Sequence, residues 1–555
     1  MQEKDVIQQE YVHRNSRSAL ELFDMICGNE GAEAAHHFMF YMTGTEWKQR
    51  FEALIEILRD RYRNVDHLTR VKMLEFLTLL AIGLKSYLIH LRLVDIIGVD
   101  EIERSYLKVW NLLLESESAD KDAANQLCSQ LIASNAKQFE AEGISAASAE
   151  SEAAILVGNK PSQYVRRVSK KITSSNFYQY SIEQKSSHEK TILGNDYGEF
   201  LQYTMWLGYS FQTTNPPLIK MIWDLDRPYW SNRLLEVVAE MERSGEKLDV
   251  EKTCSLAAMI VVEKACRLLR DWFLLSEGKE GYVCFQVNPI HNGNSDAMVS
   301  EAIFVYETLS KRLKGVPNVS FKLPGTRAGL LAARVLSQKG YSLTITLNFT
   351  TFQAVEFGKV FKESKALTSY VVVMNGRLAY PVRDELATLG QNSVPNASWF
   401  AGVEVTRHIF QKFYSSEQDG GLGLDREKVK ILNASLRVYG EEIPDISEIW
   451  GTPLITIFPN VRRAYDMKKR TVPVDSVVHQ TEVSVMEDLK KSELFRQAWY
   501  VPQDDESFKP DKVLTLTEKD DAAVLEWLPI QQTLGQFITE YQKLRDIIEG
   551  VLATK

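Results

Sequence analysis

The sequence predicts an α/β protein: a (β/α)8 barrel, the TIM barrel, with an additional N-terminal α-helical domain. Three observations predict it. No proline occurs before Pro161, and proline breaks helix interiors, so the first part of the chain favours helices. After about residue 190, short apolar or β-branched runs alternate with helical patterns, which implies a parallel sheet covered by helices. Those runs number eight, the strand count of such a barrel.

Residues 1–135 carry apolar positions at helical spacing in FEALIEILRDRY (51–62), MLEFLTLLAIGL (73–84) and YLKVWNLLLES (106–116). They read as an α-helical N-terminal domain of unknown role. Residues 136–189 are richer in Ser, Ala, Gln and Lys and read as a connector with one further helix. Residues 190–555 read as the barrel. Its strand candidates are KTILGND (190–196), YSFQTT (209–214), GYVCFQVN (281–288), VSFKL (319–323), SLTITLNF (342–349), SYVVVM (369–374), VKILNAS (429–435) and PLITIFP (453–459). A long amphipathic helix is expected over 524–553. An open doubly wound sheet is the alternative, but neither GxGxxG nor GxxxxGK[ST] follows the first strand.

Composition narrows the function classes. The chain has 555 residues, 45% hydrophobic and 25% charged, ordinary for a globular protein and wrong for a disordered or collagen-like one. Its 74 acidic and 65 basic residues give a net charge of −9, which argues against a nucleic-acid partner. Five cysteines without a CxxC fit a reduced cytosolic protein. The N-terminus lacks the apolar core of a signal peptide, and the most apolar stretch, 73–99, is interrupted by Glu75 and Lys85. No membrane partner and a cytoplasmic location are therefore expected. The histidines show no ligand spacing, so no metal site is expected.

Barrel chemistry sits at the C-terminal ends of the strands. There the sequence offers Asp196; Thr213, Thr214 and Asn215; Gln286 and Asn288; Lys322; Thr344 and Thr346; Asn375, Gly376 and Arg377; and Ser435 with Arg437. Lys322 is the informative member. It lies inside an apolar run, where burial pushes an amine toward its neutral, nucleophilic form. Alone, pairing with a carboxylate or snorkelling to water is the commoner reading.

The segment FKLPGTRAGLLAARVLSQKGYSLTITLNFTTFQA (321–354) resembles the transaldolase segment that carries a Schiff-base lysine, here Lys322. QTTNPPLI (212–219), NDYGEF (195–200), NGR (375–377) and LNASLR (432–437) resemble further motifs of that family, in order. The resemblance covers about 190–550 and extends to the fructose-6-phosphate aldolase-like members of this class I aldolase superfamily. It implies that Lys322 forms an imine with a phosphorylated ketose and that Asp196 is the general acid–base. It also implies that Asn215, with Thr214 and Asn288 beside it, contacts the bound three-carbon unit. Thr346 would help hold a proton-shuttling water, and Arg377, Ser435 and Arg437 would bind the phosphate. No cofactor is implied.

Three departures qualify the match. Gln286 stands where transaldolases carry a catalytic Glu, so it can orient the catalytic water but cannot take up a proton. Gln there resembles the fructose-6-phosphate aldolase branch, whose strand-six Tyr falls on Met374; only a shifted alignment would use Tyr370. Thr344 replaces an Asn near the lysine. The expected function is transfer of a dihydroxyacetone unit from a phosphorylated ketose to an aldehyde. The alternatives are release of free dihydroxyacetone and a non-catalytic barrel serving regulation or assembly. The N-terminal helices are a candidate homo-oligomerisation module.

Overall fold

In this computed structural model the described residues are 3–40, 44–89, 91–184, 190–390, 396–471, 473–502 and 504–554. Eight parallel strands close into a barrel in chain order. They are β1 (Ile192–Asn195), β2 (Tyr209–Gln212), β3 (Val283–Gln286), β4 (Val319–Pro324), β5 (Leu343–Thr346), β6 (Ser369–Met374), β7 (Val429–Ala434) and β8 (Leu454–Ile457). The register from Ile192↔Leu454 to Asn195↔Ile457 joins β8 back to β1. The predicted barrel with N-terminal helices is the fold observed.

The crossovers are unequal. Helices Ser295–Leu313, Arg327–Gln338, Thr351–Lys362 and Ala401–Tyr414 cover strands β3 to β7 in the usual way. After β1, however, the helix has five residues (Leu201–Met205), and after β7 it has four (Pro444–Ser447). The outer faces of β8, β1 and β2 would be left bare, and exposed apolar strand surface is unfavourable. The N-terminal helices fill that gap. One apolar cluster joins Leu193, Tyr209, Ile455 and Ile457 of the strands to Leu74, Leu77, Val165, Val168 and Phe177. The Phe177 ring lies 5.9 Å from Tyr209 and 5.0 Å from Tyr465, and Tyr180 lies 4.1 Å from Trp450.

Buried ion pairs fix the same seam. Arg14 Nε donates to Asp271 Oδ1 at 2.8 Å, and Arg270 Nε donates to Glu10 Oε1 at 2.7 Å. Arg462 Nη2 donates to Glu142 Oε1 at 2.6 Å. Removing one member of such a pair strands the other charge in the interior.

Residues 136–189 differ from the single helix expected there. They carry the end of Lys121–Ala141 and then three helices, Ala146–Val157, Pro161–Ser174 and Asn176–Glu183. The Ser/Ala-rich composition that suggested a linker is alanine-rich helix flanked by serines in cap positions. Pro161 occupies the first turn, where its missing N–H costs nothing. At the other end, helix Leu528–Leu552 starts on Pro529 and packs Leu534 and Phe537 beside Leu347 at the end of β5. No described helix is long and apolar enough to cross a membrane.

Because these helices complete the barrel's own apolar core, deleting residues 1–135 is expected to give insoluble or aggregated protein. Soluble expression followed by size-exclusion chromatography checks this; a monodisperse, cooperatively unfolding 136–555 fragment would contradict it.

Candidate active site

Lys322 sits in the middle of β4, 4% exposed, with Gln286 of β3 and Thr344 of β5 as its register partners. Alternation along the strands turns Ser320, Lys322 and Pro324 to the same side as Cys284 and Thr344. Below the lysine, Ser320 and Thr344 hydroxyls share a 2.8 Å hydrogen bond, and Thr344 lies 3.4 Å from Cys284 Sγ. The Lys322 ammonium donates to the Thr214 carbonyl at 3.3 Å. No described carboxylate forms a salt bridge with it. Burial pushes its pKa down; the more distant Cys284 and Asp196 oppose that shift, and Arg377 reinforces it. The commoner reading of a strand lysine, a paired or snorkelling ammonium, does not describe this one.

Asp196 follows β1 directly and is not a helix cap. Thr213 Oγ1 donates to Asp196 Oδ1 at 2.7 Å. Thr213 also lies 2.7 Å from Thr456 Oγ1, so the Thr456 hydroxyl donates in that second contact. Burial raises the Asp196 pKa, while the Thr213 hydrogen bond, Lys322, Arg437 and Arg377 pull it down. The net shift is upward, so the carboxyl takes up a proton more readily than an exposed aspartate does. The sequence offered Thr213 only as a polar strand end, with no role assigned, and did not single out Thr456.

Gln286 ends β3. Its Oε1 is buried without a hydrogen-bond partner among the described residues. It shares a cavity of about 20 Å³ with Thr214, Asn215 and Glu301, the size of one water. Glu301 is a second residue the sequence reading missed. It lies on the helix after β3, and its Oε2 accepts from Asn288 N at 2.7 Å. Three predicted substrate contacts hold local structure. Asn215 Oδ1 caps helix Pro216–Leu225 through Leu218 N, Asn288 Oδ1 accepts from Ile290 N, and Thr214 Oγ1 donates to the Cys284 carbonyl. Thr346 Oγ1 lies 3.9 Å from Met374 Sδ. Met374 thus stands beside Thr346, while Tyr370 pairs with Thr344 in the register of β5 and β6. Tyr370 sits four residues earlier, about 13 Å down the strand, against Phe211 and Tyr282.

Arg377 and Arg437 converge at the ends of β6 and β7. Arg377 donates to Gln536 Oε1 at 2.7 Å and lies over the Phe537 ring. Arg437 donates to the Ser435 and Leu436 carbonyls. Among the described residues neither forms a salt bridge. Burial and the like charge of Arg437 lower Arg377 to about 10. Two arginines held near each other without a salt-bridge partner among the described residues make a receptive site for an anion. Ser435, at φ +62°, is in the left-handed region, and that turn brings Arg437 back over Gly376. Gly376 N donates to the Ser435 carbonyl at 3.1 Å. A Cβ at 376 would collide with Arg437 Cγ and the Ser435 oxygen. Gly376→Ala should therefore lower stability by about 1–3 kcal/mol and weaken inorganic phosphate binding, measured by denaturant titration and calorimetry.

Comparison with known proteins gives the same direction. The model of the Transaldolase/Fructose-6-phosphate aldolase family matches residues 199–509. The transaldolase of Thiobacillus denitrificans is 30% identical over 220 residues, 37% of this chain and 57% of that protein. That of Mycobacterium leprae is 28% identical over 222 residues, 38% of this chain and 55% of that one. The transaldolase of Mycolicibacterium paratuberculosis is 28% identical over 138 residues, 25% and 34% of the two chains. The chain spans little more than half of these relatives at most. With a family match over more than half of its own length, the chain belongs to the transaldolase/fructose-6-phosphate aldolase family.

Proposed function

We propose that the protein is a Schiff-base enzyme that cleaves a phosphorylated ketose of the fructose 6-phosphate or sedoheptulose 7-phosphate type. It passes the resulting three-carbon dihydroxyacetone unit to an aldehyde. The observation that carries this reading is a buried lysine without a carboxylate salt bridge, near one carboxyl and below two arginines that have no salt-bridge partner among the described residues. The Lys322 amine adds to the ketone carbon, and loss of water gives an iminium. Asp196 takes the proton of the C4 hydroxyl as the C3–C4 bond breaks. The bonding electrons move into the iminium and form an enamine, and the aldehyde leaves. Arg377, Arg437 and Ser435 hold the phosphate so that the C3–C4 bond lies over the lysine. Asn215 and Thr214 line the three-carbon end, and Thr346 and Gln286 orient the water that is lost and returned.

The enamine then has two fates. Attack on a second aldehyde is transfer. Protonation at C3 and hydrolysis release free dihydroxyacetone. Gln286 favours the second fate as an accompanying activity, since an amide cannot take up a proton as a catalytic Glu does; Met374, which lacks the strand-six hydroxyl of the aldolase branch, does not add to that preference. A cytoplasmic enzyme working without a cofactor is the setting this chemistry asks for.

Borohydride reduction traps the iminium as a stable amine. Intact mass after reduction with fructose 6-phosphate should show a dihydroxyacetone adduct in the wild type and none in Lys322→Ala. Absence of an adduct with fructose 6-phosphate, sedoheptulose 7-phosphate and dihydroxyacetone alike would overturn the mechanism.

A further inference from the structure

A second cavity lies outside the barrel, between the N-terminal helices and the wall formed by residues 198–206 and helices Arg227–Arg243 and Val250–Leu268. Its volume is about 810 Å³, within the range of small-molecule sites. The catalytic proposal uses none of its lining residues. Its charges are not balanced. On the barrel wall each cation has a carboxylate: Lys264 with Glu199 at 2.7 Å, Arg233 with Glu236 at 2.9 Å and Arg267 with Glu263 at 2.7 Å. On the N-terminal wall Glu30, Glu33 and Glu75 line the cavity, and among the described residues none of them forms an ion pair. The barrel wall adds Phe200, Tyr229 and Trp230. Lys264 already lies 5.7 Å from the Trp230 ring centre, so this wall accommodates a cation between indole and carboxylate.

A second, independent feature points to a ligand. Gln212 reaches the cavity from β2 and is 0% exposed. Its Oε1 accepts from Asn195 Nδ2 at 3.4 Å, which fixes the amide orientation, and its Nε2 has no partner. A buried N–H donor without an acceptor is costly. A bare ammonium cannot satisfy it, because an ammonium only donates.

We propose that this cavity is a binding site for a hydroxylated organic cation of the amino-sugar class. Its ammonium would be held by Glu33 and Glu75, one sugar face would lie on the aromatic wall, and a hydroxyl would accept from Gln212. Burial and the neighbouring Glu30 raise Glu33 to about 7, against the opposing pull of Arg267 and Arg14, with Asp271 adding to the rise. The incoming ammonium therefore displaces a proton from Glu33 near neutral pH, and binding strengthens as the pH rises to neutrality, before the ligand's own ammonium is lost.

The test is calorimetry on the full chain with D-glucosamine, D-glucose and putrescine as probes, at neutral pH, where the D-glucosamine amine still carries its proton. D-glucosamine should bind at least about tenfold more tightly than either of the others, roughly one charge-assisted hydrogen bond. Glu33→Gln/Glu75→Gln should abolish the preference over D-glucose, and Gln212→Met should weaken D-glucosamine while leaving putrescine unchanged. Lys322→Ala should leave all three affinities as they were, which separates this site from the sugar chemistry of the barrel. Equal binding of D-glucose and D-glucosamine, no D-glucosamine binding, or loss of it in Lys322→Ala would each overturn the proposal.

Discussion

The functional account depends on where one amine is placed. A lysine in the middle of a closed parallel barrel can be kept by a carboxylate partner, which would hold it charged, or it can be left with dipoles alone. Here the nearest acceptor to Lys322 is a backbone carbonyl at 3.3 Å, and its register partners are an amide and a hydroxyl. The one carboxyl of the site, Asp196, is engaged by Thr213. Desolvation therefore outweighs attraction, and the amine moves toward the neutral form that attacks a carbonyl. Gln286 contributes to this balance, since a Glu at that register position would add a charge that favours the ammonium.

The same logic of uncompensated charge extends to the mouth of the barrel. Burial and the nearby Arg437 weaken the protonation of Arg377 against the pull of Asp196, neither arginine has a salt-bridge partner among the described residues, and the left-handed turn at Ser435 with Gly376 beneath it keeps them close. A folded protein tolerates such an arrangement where an anion relieves it. The N-terminal helices matter in a different way. They stand in for two crossover helices that are too short to cover β8, β1 and β2, so the catalytic frame and the appended region share one apolar core. They also form the acidic wall of the outer cavity, which a bare barrel would lack.

Much of this was legible in the sequence because it is periodic or local. Strand runs alternating with helices gave the barrel, and the ordered motifs around Asp196, Lys322, Arg377 and Arg437 placed the polar strand ends. The helices of 141–183 were misread because alanine and serine serve helices and linkers alike; the pattern of buried Ala149, Ala153 and Val157 is too small in volume to register as an apolar stripe. Thr456 and Glu301 were missed, and Thr213 was offered without a role, because their roles come from contacts between strands or helices far apart in the chain. The local duties of Asn215 and Asn288 as caps were readable in principle, since each precedes a proline that opens a helical turn. That Met374 stands beside Thr346 while Tyr370 pairs with Thr344 could be known only from the contacts and register of β5 and β6.

The central claim is the depressed basicity of Lys322, and a pH titration of its Nζ by nitrogen-15 NMR tests it without substrate. Selective lysine labelling, with the signal identified by its loss in Lys322→Met, gives the value directly. The account predicts a midpoint clearly below the ordinary 10.5, with Asp196→Asn lowering it further because an opposing negative charge is removed. A midpoint at or above 10.5 would mean that the amine is held as an ammonium, and the nucleophile at the centre of this mechanism would be lost.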